Sequence, residues 1–295
     1  MNLPQHTLGA SELILTKSGA IYHLNLKPEQ LGGIILLVGD PARVPLVSKH
    51  FDKLQYKVQH REFITHTGSI GKHTISAIST GIGTDNIDIV MNELDALANI
   101  DFKSRIAKAQ TTSLHIIRMG TCGTMQADVA TDSLIVSSYA IGIDNLLHFY
   151  NLQNNTDEQY ILHEFGLHTR LQNSNIKPYI SEASIQLRKY FGSDFLHGIT
   201  VTAPGFYAPQ ARHLRTMPAI PNMMDAITTF STRNMRVLNY EMETSALYGL
   251  GKVLQHHCLS VSTVINNRAT KTFSADANAA IENMIIKTLE ALSLK

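Results

Sequence analysis

The sequence predicts an α/β fold built around a mixed or mostly parallel sheet. Three observations predict it. Short apolar runs rich in β-branched residues recur along the 295 residues. Helix-like segments with one apolar face fall between or after several of these runs. Glycine-rich turns follow the runs, as at strand ends that face a ligand.

The elements follow in order. Strands are predicted at 34–38, 74–79, 114–118, 133–141, 199–203 and 259–266, and helices at 44–50, 86–98, 181–191, 241–256 and 275–292. The first strand, Ile34-Ile35-Leu36-Leu37-Val38, is short, apolar and stops at glycine, which suits a buried strand. In 86–98, Ile87, Val90, Leu94 and Leu97 share one helical face; in 241–256, Met242, Ala246, Leu250 and Val253 do the same. His60-Arg61-Glu62-Phe63 falls between two further strands. Residues 143–180 are polar and rich in His, Asn and Gln, and read as an insertion that leaves the core, partly helical. Residues 1–18 form an N-terminal extension. With no repeat and no linker, 19–295 reads as one domain.

Composition narrows the function. Hydrophobic residues make up 44% of the chain, enough for a large core. A formal net charge of +1 gives no broad basic field for nucleic acid, so any anion site is local. Cys122 and Cys258 are the only cysteines and lack metal-type spacing, which argues against a disulfide scaffold or zinc site and for a reducing compartment. Residues 1–17 lack the apolar core of a signal peptide, and no window reaches the length of a membrane span. A cytoplasmic enzyme with no metal is expected.

Five motifs carry the chemistry. In Gly39-Asp40-Pro41-Ala42-Arg43, a strand, a tight turn and an arginine at a helix start can hold an oxyanion. Alone it reads equally as a surface turn. Ser79-Thr80-Gly81-Ile82-Gly83 suits close backbone approach to a ligand. In Arg118-Met119-Gly120-Thr121-Cys122-Gly123, an arginine closing a buried strand needs an anionic partner or water, and the Thr121 hydroxyl and nearby N–H groups would complete an oxyanion cradle. His60-Arg61-Glu62-Phe63 alone is a surface charge cluster. Asn239-Tyr240-Glu241-Met242-Glu243 places two carboxylates around a methionine at a predicted helix start. Helix-dipole stabilisation accounts for that, and so does a sugar site, where a carboxylate accepts paired hydroxyls.

In this order and spacing, the set resembles the nucleoside phosphorylase-I family, most closely the bacterial-type uridine phosphorylases, over about residues 20–290. The resemblance implies a single-domain three-layer αβα sandwich with a central mixed, barrel-like sheet. It implies a phosphate site at Gly39, Arg43, Arg118 and Thr121, with Arg61 lent to a neighbouring subunit. It implies a ribose site at Glu241, Met242 and Glu243, with His23 lent in the same way to the 5′-hydroxyl. Phe206-Tyr207-Ala208-Pro209-Gln210-Ala211-Arg212 resembles the family's uracil-binding segment. The base site then comprises Cys122, Gly123, Phe206, Gln210, Arg212 and Arg268, and Arg118, Gln210 and Arg212 carry the catalysis. Gln offers both a donor and an acceptor to uracil.

Purine-acting members carry an Asp near the strand end that here reads Val264-Ile265-Asn266-Asn267-Arg268, and an amide is no useful proton donor. The resemblance thus implies a pentosyltransferase that cleaves uridine, and also deoxyuridine or thymidine, with phosphate. Its partners are a nucleoside and inorganic phosphate as co-substrate, with no nucleic acid, no membrane and no organic cofactor. The implied assembly is a homo-hexamer built as a trimer of dimers. Some members hold a monovalent cation between subunits beside the residue matching Glu62; Asn86 replaces the serine expected there, so no such site is counted. A purine or broad-specificity phosphorylase, a hydrolytic nucleosidase and a non-catalytic nucleoside-binding regulator are the competing readings.

Overall fold

The structure is a computed structural model and describes residues 6–294. The first half runs through β1 (Ile34–Val38), α1 (Arg43–Ser48), β2 (Lys53–His60), β3 (Phe63–Ile70), β4 (His73–Ser79) and α2 (Thr84–Asn99). A small ribbon of β5 (Ile100–Asp101) and β6 (Ile106–Ala107) leads to β7 (His115–Thr124) and β8 (Leu134–Gly142). The polar stretch at 143–180 brings α3 (Thr156–Thr169) and the start of β9 (Tyr179–Glu182), followed by α4 (Ile185–Arg188), β10 (Leu196–Thr202) and α5 (Met223–Thr229). The chain ends with β11 (Ser231–Thr232), β12 (Met235–Glu241), α6 (Thr244–Val253), β13 (His257–Asn267), β14 (Thr272–Phe273) and α7 (Ala277–Ala291).

The main sheet is mixed, in the order β11-β12-β10-β8-β13-β7-β1-β4-β3-β2. An extra pairing of β12 with β7, through Tyr240 and Gly123, closes β12-β10-β8-β13-β7 into a five-stranded ring. The α/β class and the barrel-like mixed sheet are therefore as expected. Strand β1 lies parallel to β4 and β7 and is wholly apolar, as a strand covered on both faces must be. The faces carry α2, which buries Ile87, Val90, Leu94 and Leu97, and α7, which buries Ile281, Met284, Ile285 and Leu289. Cys122, Ile135, Leu238 and Val264, each from a different strand of the ring, pack with Val129 in a small separate cluster.

The structure departs from the expected elements in four places. The strand predicted at 114–118 continues to Thr124, because β13 pairs with it as far as Thr124 and β12 joins it at Gly123, beyond the end of its pairing with β1 at Met119. The helix expected at 181–191 shrinks to Ile185–Arg188, since residues 179–182 pair with β8 instead. The helix expected from Glu241 starts at Thr244; Glu241 ends β12, a strand the sequence did not announce. The polar stretch at 143–180, expected to leave the core, does not. It buries Ile161 and Phe165 of α3 against β8, β10 and α5, and the capping carboxylate Glu158 is fully buried and pairs with Lys252.

Of residues 1–18, residues 1–5 lie outside the described residues. Leu8, Gly9 and Leu13 pack against Arg105, whose Nε donates to the Leu8 carbonyl at 2.7 Å, and Leu13 is buried. Among the described residues no helix is long and apolar enough to cross a membrane.

Candidate active site

The carboxyl ends of β1, β4, β7, β12 and β13 open onto one cavity of about 800 Å³. Its first wall is the turn after β1. Asp40 Oδ1 accepts from the Ala42 N–H at 2.9 Å and pins the turn, so Gly39, Asp40, Pro41 and Arg43 all line the cavity. Arg43 is the first residue of α1. Burial lowers its pKa, Arg118 nearby acts in the same direction, and Asp40 and Glu243 oppose them.

Arg118 lies at the centre. It projects from the middle of β7 and is buried. Its guanidinium bonds the Glu243 carboxylate and stands 3.4 Å from Glu241 Oε2. Burial opposes its charge, but Glu243 and Glu241 outweigh burial and raise its pKa. Its Nε and Nη1 have no hydrogen-bond acceptor among the described residues, so two buried donors remain for an anion. The motif spacing now has a physical cause. A Cβ at residue 120 would stand 2.0 Å from Arg118 Nη1, so only glycine leaves room for the guanidinium. Thr121 lines the cavity one residue further on.

The two carboxylates differ in role. Glu241 accepts from Thr202 Oγ1 at 2.6 Å, from the Glu243 N–H at 2.9 Å and from the Thr244 N–H at 3.0 and 2.9 Å. Burial pushes its pKa up and Arg118 pulls it back; every one of those neighbours is a donor, which favours the charged form. Both its oxygens are thus engaged at the start of α6. Glu243 Oε1 accepts from the Gly83 N–H at 2.9 Å, where Gly83, at φ +98°, adopts a backbone that suits glycine and opens α2. Residues two apart on a helix would point apart; here both carboxylates converge on Arg118. They can do so because Glu241 belongs to a strand and Glu243 to the turn that follows it.

The far wall is a loop. Phe206, Gln210 and Arg212 line it, together with Cys122, Gly123 and Asn266. Gln210 is buried, and its Oε1 accepts from Arg212 Nη1 at 2.6 Å. The Arg212 guanidinium stacks 4.0 Å over the Phe206 ring, and Ala211 takes a left-handed turn at φ +49° to allow it. Cys122 is buried, and burial pushes its thiol up to about 12.

Three expected site residues lie outside this cavity. Arg268 sits behind the loop and donates to the Gln210 carbonyl at 2.5 Å and the Ala211 carbonyl at 3.2 Å, so it braces the wall instead of lining it. His23 and Arg61 group elsewhere on the surface with Tyr22 and His60. Asn266 and Asn267 also divide. Asn266 faces the cavity, whereas Asn267 is spent on the Gln126 and Val129 carbonyls and the Ala269 and Thr270 N–H groups. Ile82 and Phe273 line the cavity too, without any periodic signal that singled them out.

The Phosphorylase superfamily matches residues 33–293. A uridine phosphorylase of Thermococcus kodakarensis is 29% identical over 264 residues, covering 88% of this chain and 81% of that protein. One of Treponema pallidum is 28% identical, covering 92% and 93%. A DeoD-type purine nucleoside phosphorylase of Buchnera aphidicola is 25% identical, covering 92% and 98%. Among solved structures, a Trypanosoma brucei nucleoside phosphorylase described as showing uridine phosphorylase activity superposes with a TM-score of 0.87 at 30% identity, over 96% of this chain and 99% of that one. Every residue that lines the cavity falls within the matched segment, and the chain belongs to the Phosphorylase superfamily of enzymes.

Proposed function

We propose that this enzyme catalyses the reversible phosphorolysis of uridine, and of deoxyuridine or thymidine, to uracil and the pentose 1-phosphate. One observation carries the reading. A single cavity joins the buried Arg118 and its neighbour Arg43 to the Gln210–Arg212 pair, with the Glu243 carboxylate beside Arg118. Those groups match the three parts of the substrate complex.

Phosphate sits at Gly39, Arg43, Arg118 and Thr121, where it takes the free donors of Arg118. Ribose sits over Met242, with its hydroxyls on Glu243. The base meets Phe206, Gln210 and Arg212, backed by Cys122 and Gly123. Cleaving the glycosidic bond builds positive charge on the sugar and negative charge on the base. Phosphate beneath C1′ stabilises the first as counter-ion and then bonds to it as nucleophile. Donors from Gln210 and Arg212 stabilise the second at the uracil carbonyls, so the leaving base needs no strong acid. Arg212, a donor only, turns the Gln210 Oε1 towards itself; the amide nitrogen is then free to donate to a carbonyl.

Glycosidase-type hydrolysis by Glu241 and Glu243 fits poorly, because donors already occupy both oxygens of Glu241. Asn266 supports a pyrimidine: its amide stands in the wall where a purine-cleaving site would need an acid. The surface group of Tyr22, His23, His60 and Arg61 supports the lending of His23 and Arg61 to a partner in a cytoplasmic homo-hexamer built from dimers.

The test is an incubation with uridine, thymidine and inosine, with and without phosphate, following free base. Phosphate-dependent uracil release is expected. Release without phosphate means a nucleosidase, release from inosine alone means a purine enzyme, and binding without turnover means a regulator.

A further inference from the structure

Outside the cavity, one carboxylate is committed to one histidine. Glu93, on α2, accepts from the His23 N–H at 2.9 and 3.1 Å, from the Leu24 N–H at 2.8 Å and from the His23 ring Nδ1 at 2.7 Å. The ring is held from other sides as well. Tyr22 packs edge-on against it at 4.9 Å, and His60 Nδ1 donates to the His23 carbonyl at 2.9 Å. The Glu93 side chain is 12% exposed and that of His23 26%.

A carboxylate accepts, so the proton between Glu93 and the ring belongs to Nδ1. In the neutral imidazole, Nε2 then carries the lone pair. Nε2 has no hydrogen-bond partner among the described residues, and His23 does not line the cavity of its own chain. If Glu93 only pinned the turn at 22–24, the backbone N–H contacts would suffice. The ring contact does more, because it fixes which nitrogen accepts.

We infer that Glu93 is a positioning residue that presents His23 Nε2 as a hydrogen-bond acceptor, so that the cavity of a second copy selects a nucleoside with a hydrogen-bond donor at its 5′ position. This rests on the function proposed above and on the lending of His23 across a subunit interface. Among the described residues only Glu93 bonds a ring nitrogen of His23: Tyr22 makes a T-shaped ring contact, and His60 bonds the His23 backbone, not its imidazole.

The test compares uridine with 5′-deoxy-5′-fluorouridine, whose fluorine is small and cannot donate, in the wild type and in Glu93→Gln. In the variant the glutamine oxygen can still accept from the backbone, while its NH₂ faces Nδ1 and drives the ring proton to Nε2. Nε2 becomes a donor, which a hydroxyl tolerates and fluorine no longer offends. The uridine preference in kcat/KM should shrink by about tenfold from wild type to variant. Taking the change between proteins cancels the intrinsic effect of fluorine on bond cleavage. A preference that stays the same, with both substrates slowed alike, makes Glu93 merely structural and overturns the inference. Should Glu93→Gln fail to fold, nitrogen NMR of the wild-type imidazole decides: an Nδ1–H tautomer of His23 is expected, and an Nε2–H tautomer overturns the inference. If the wild type releases no uracil with phosphate, the proposed function fails and this inference with it; uracil release with an unchanged preference sinks the inference alone.

Discussion

The two ends of the cavity are built by opposite means. At the arginine end, side chains project from strand ends, are buried, and are fixed by charge: Arg118 lies between Glu241 and Glu243, and Glu241 has donors on both oxygens. At the glutamine end, a loop carries the groups. Phe206 is half exposed, and the loop is held by a stacked guanidinium, by Arg212 bonds to Gln210 Oε1 and the Phe206 carbonyl, and by two bonds from Arg268 to loop carbonyls. The first end suits a ligand part that never changes. The second can be re-aimed by altering a few loop residues, which is where specificity is expected to drift.

Arg118→Ala should break the first end outright. It removes the two donors proposed for the anion and leaves two buried carboxylates without their cation. Phosphate-dependent turnover should drop by about a thousandfold or more, and stability by about 3–5 kcal/mol. Kinetics and denaturant unfolding measure the two effects; unchanged activity would remove Arg118 from the proposed phosphate site.

Gly120→Ala probes the same end more gently. The new methyl displaces Arg118 Nη1, so a loss of about a hundredfold in kcat/KM with the fold retained is expected, carried mainly by the KM for phosphate. Near wild-type phosphate kinetics would show that the guanidinium position does not matter.

Gln210→Ala should reduce kcat/KM for uridine by about tenfold to a hundredfold and flatten the profile across bases. An unaltered substrate profile counts against the base assignment.

Arg268→Ala, behind the loop, should raise the uridine KM by a few-fold, roughly the worth of one or two hydrogen bonds, and leave phosphate KM alone. An effect on phosphate of equal size would mean that the two ends are not independent.

The smallest effect is expected at Cys122. Burial raises its pKa, to about 12, so the reactive thiolate is scarce below that pH and iodoacetamide at pH 8 should not label it in the folded enzyme. Mass spectrometry of the treated protein, with residual activity, checks this.

The same contrast governs what the sequence discloses. Most of the arginine end was legible because motif and strand end coincide: Gly39 to Arg43 follows β1 without a gap. The continuation of β7 past Arg118 was not, since its glycines mimic a turn and only its pairing with β13, and with β12 at Gly123, reveals a strand. Strand β12 was missed because Arg236 and Asn239 interrupt its apolar pattern, and the burial of Asn239 depends on a bond from Thr200 on β10. The bracing role of Arg268 and the pairing of Glu93 with His23, 70 residues away, are tertiary facts with no local signal. The 143–180 stretch looked too polar for a core because its buried charge, Glu158, is neutralised by Lys252, far along the chain.

Arg118, Arg43, Glu241 and Glu243 have a consequence for the reaction's charge balance. With Glu241 ionised, as its hydrogen-bond donors favour, two cations and two anions stand together and the cluster sums to zero. If a phosphate dianion joins them as proposed, and a partner adds the cation of Arg61, the total beneath the sugar is one negative charge. A ribosyl group leaving its base carries one positive charge. The site would then be electrically matched to the passing cation and not to the neutral nucleoside that precedes it, which is the condition for speeding bond cleavage instead of merely tightening binding.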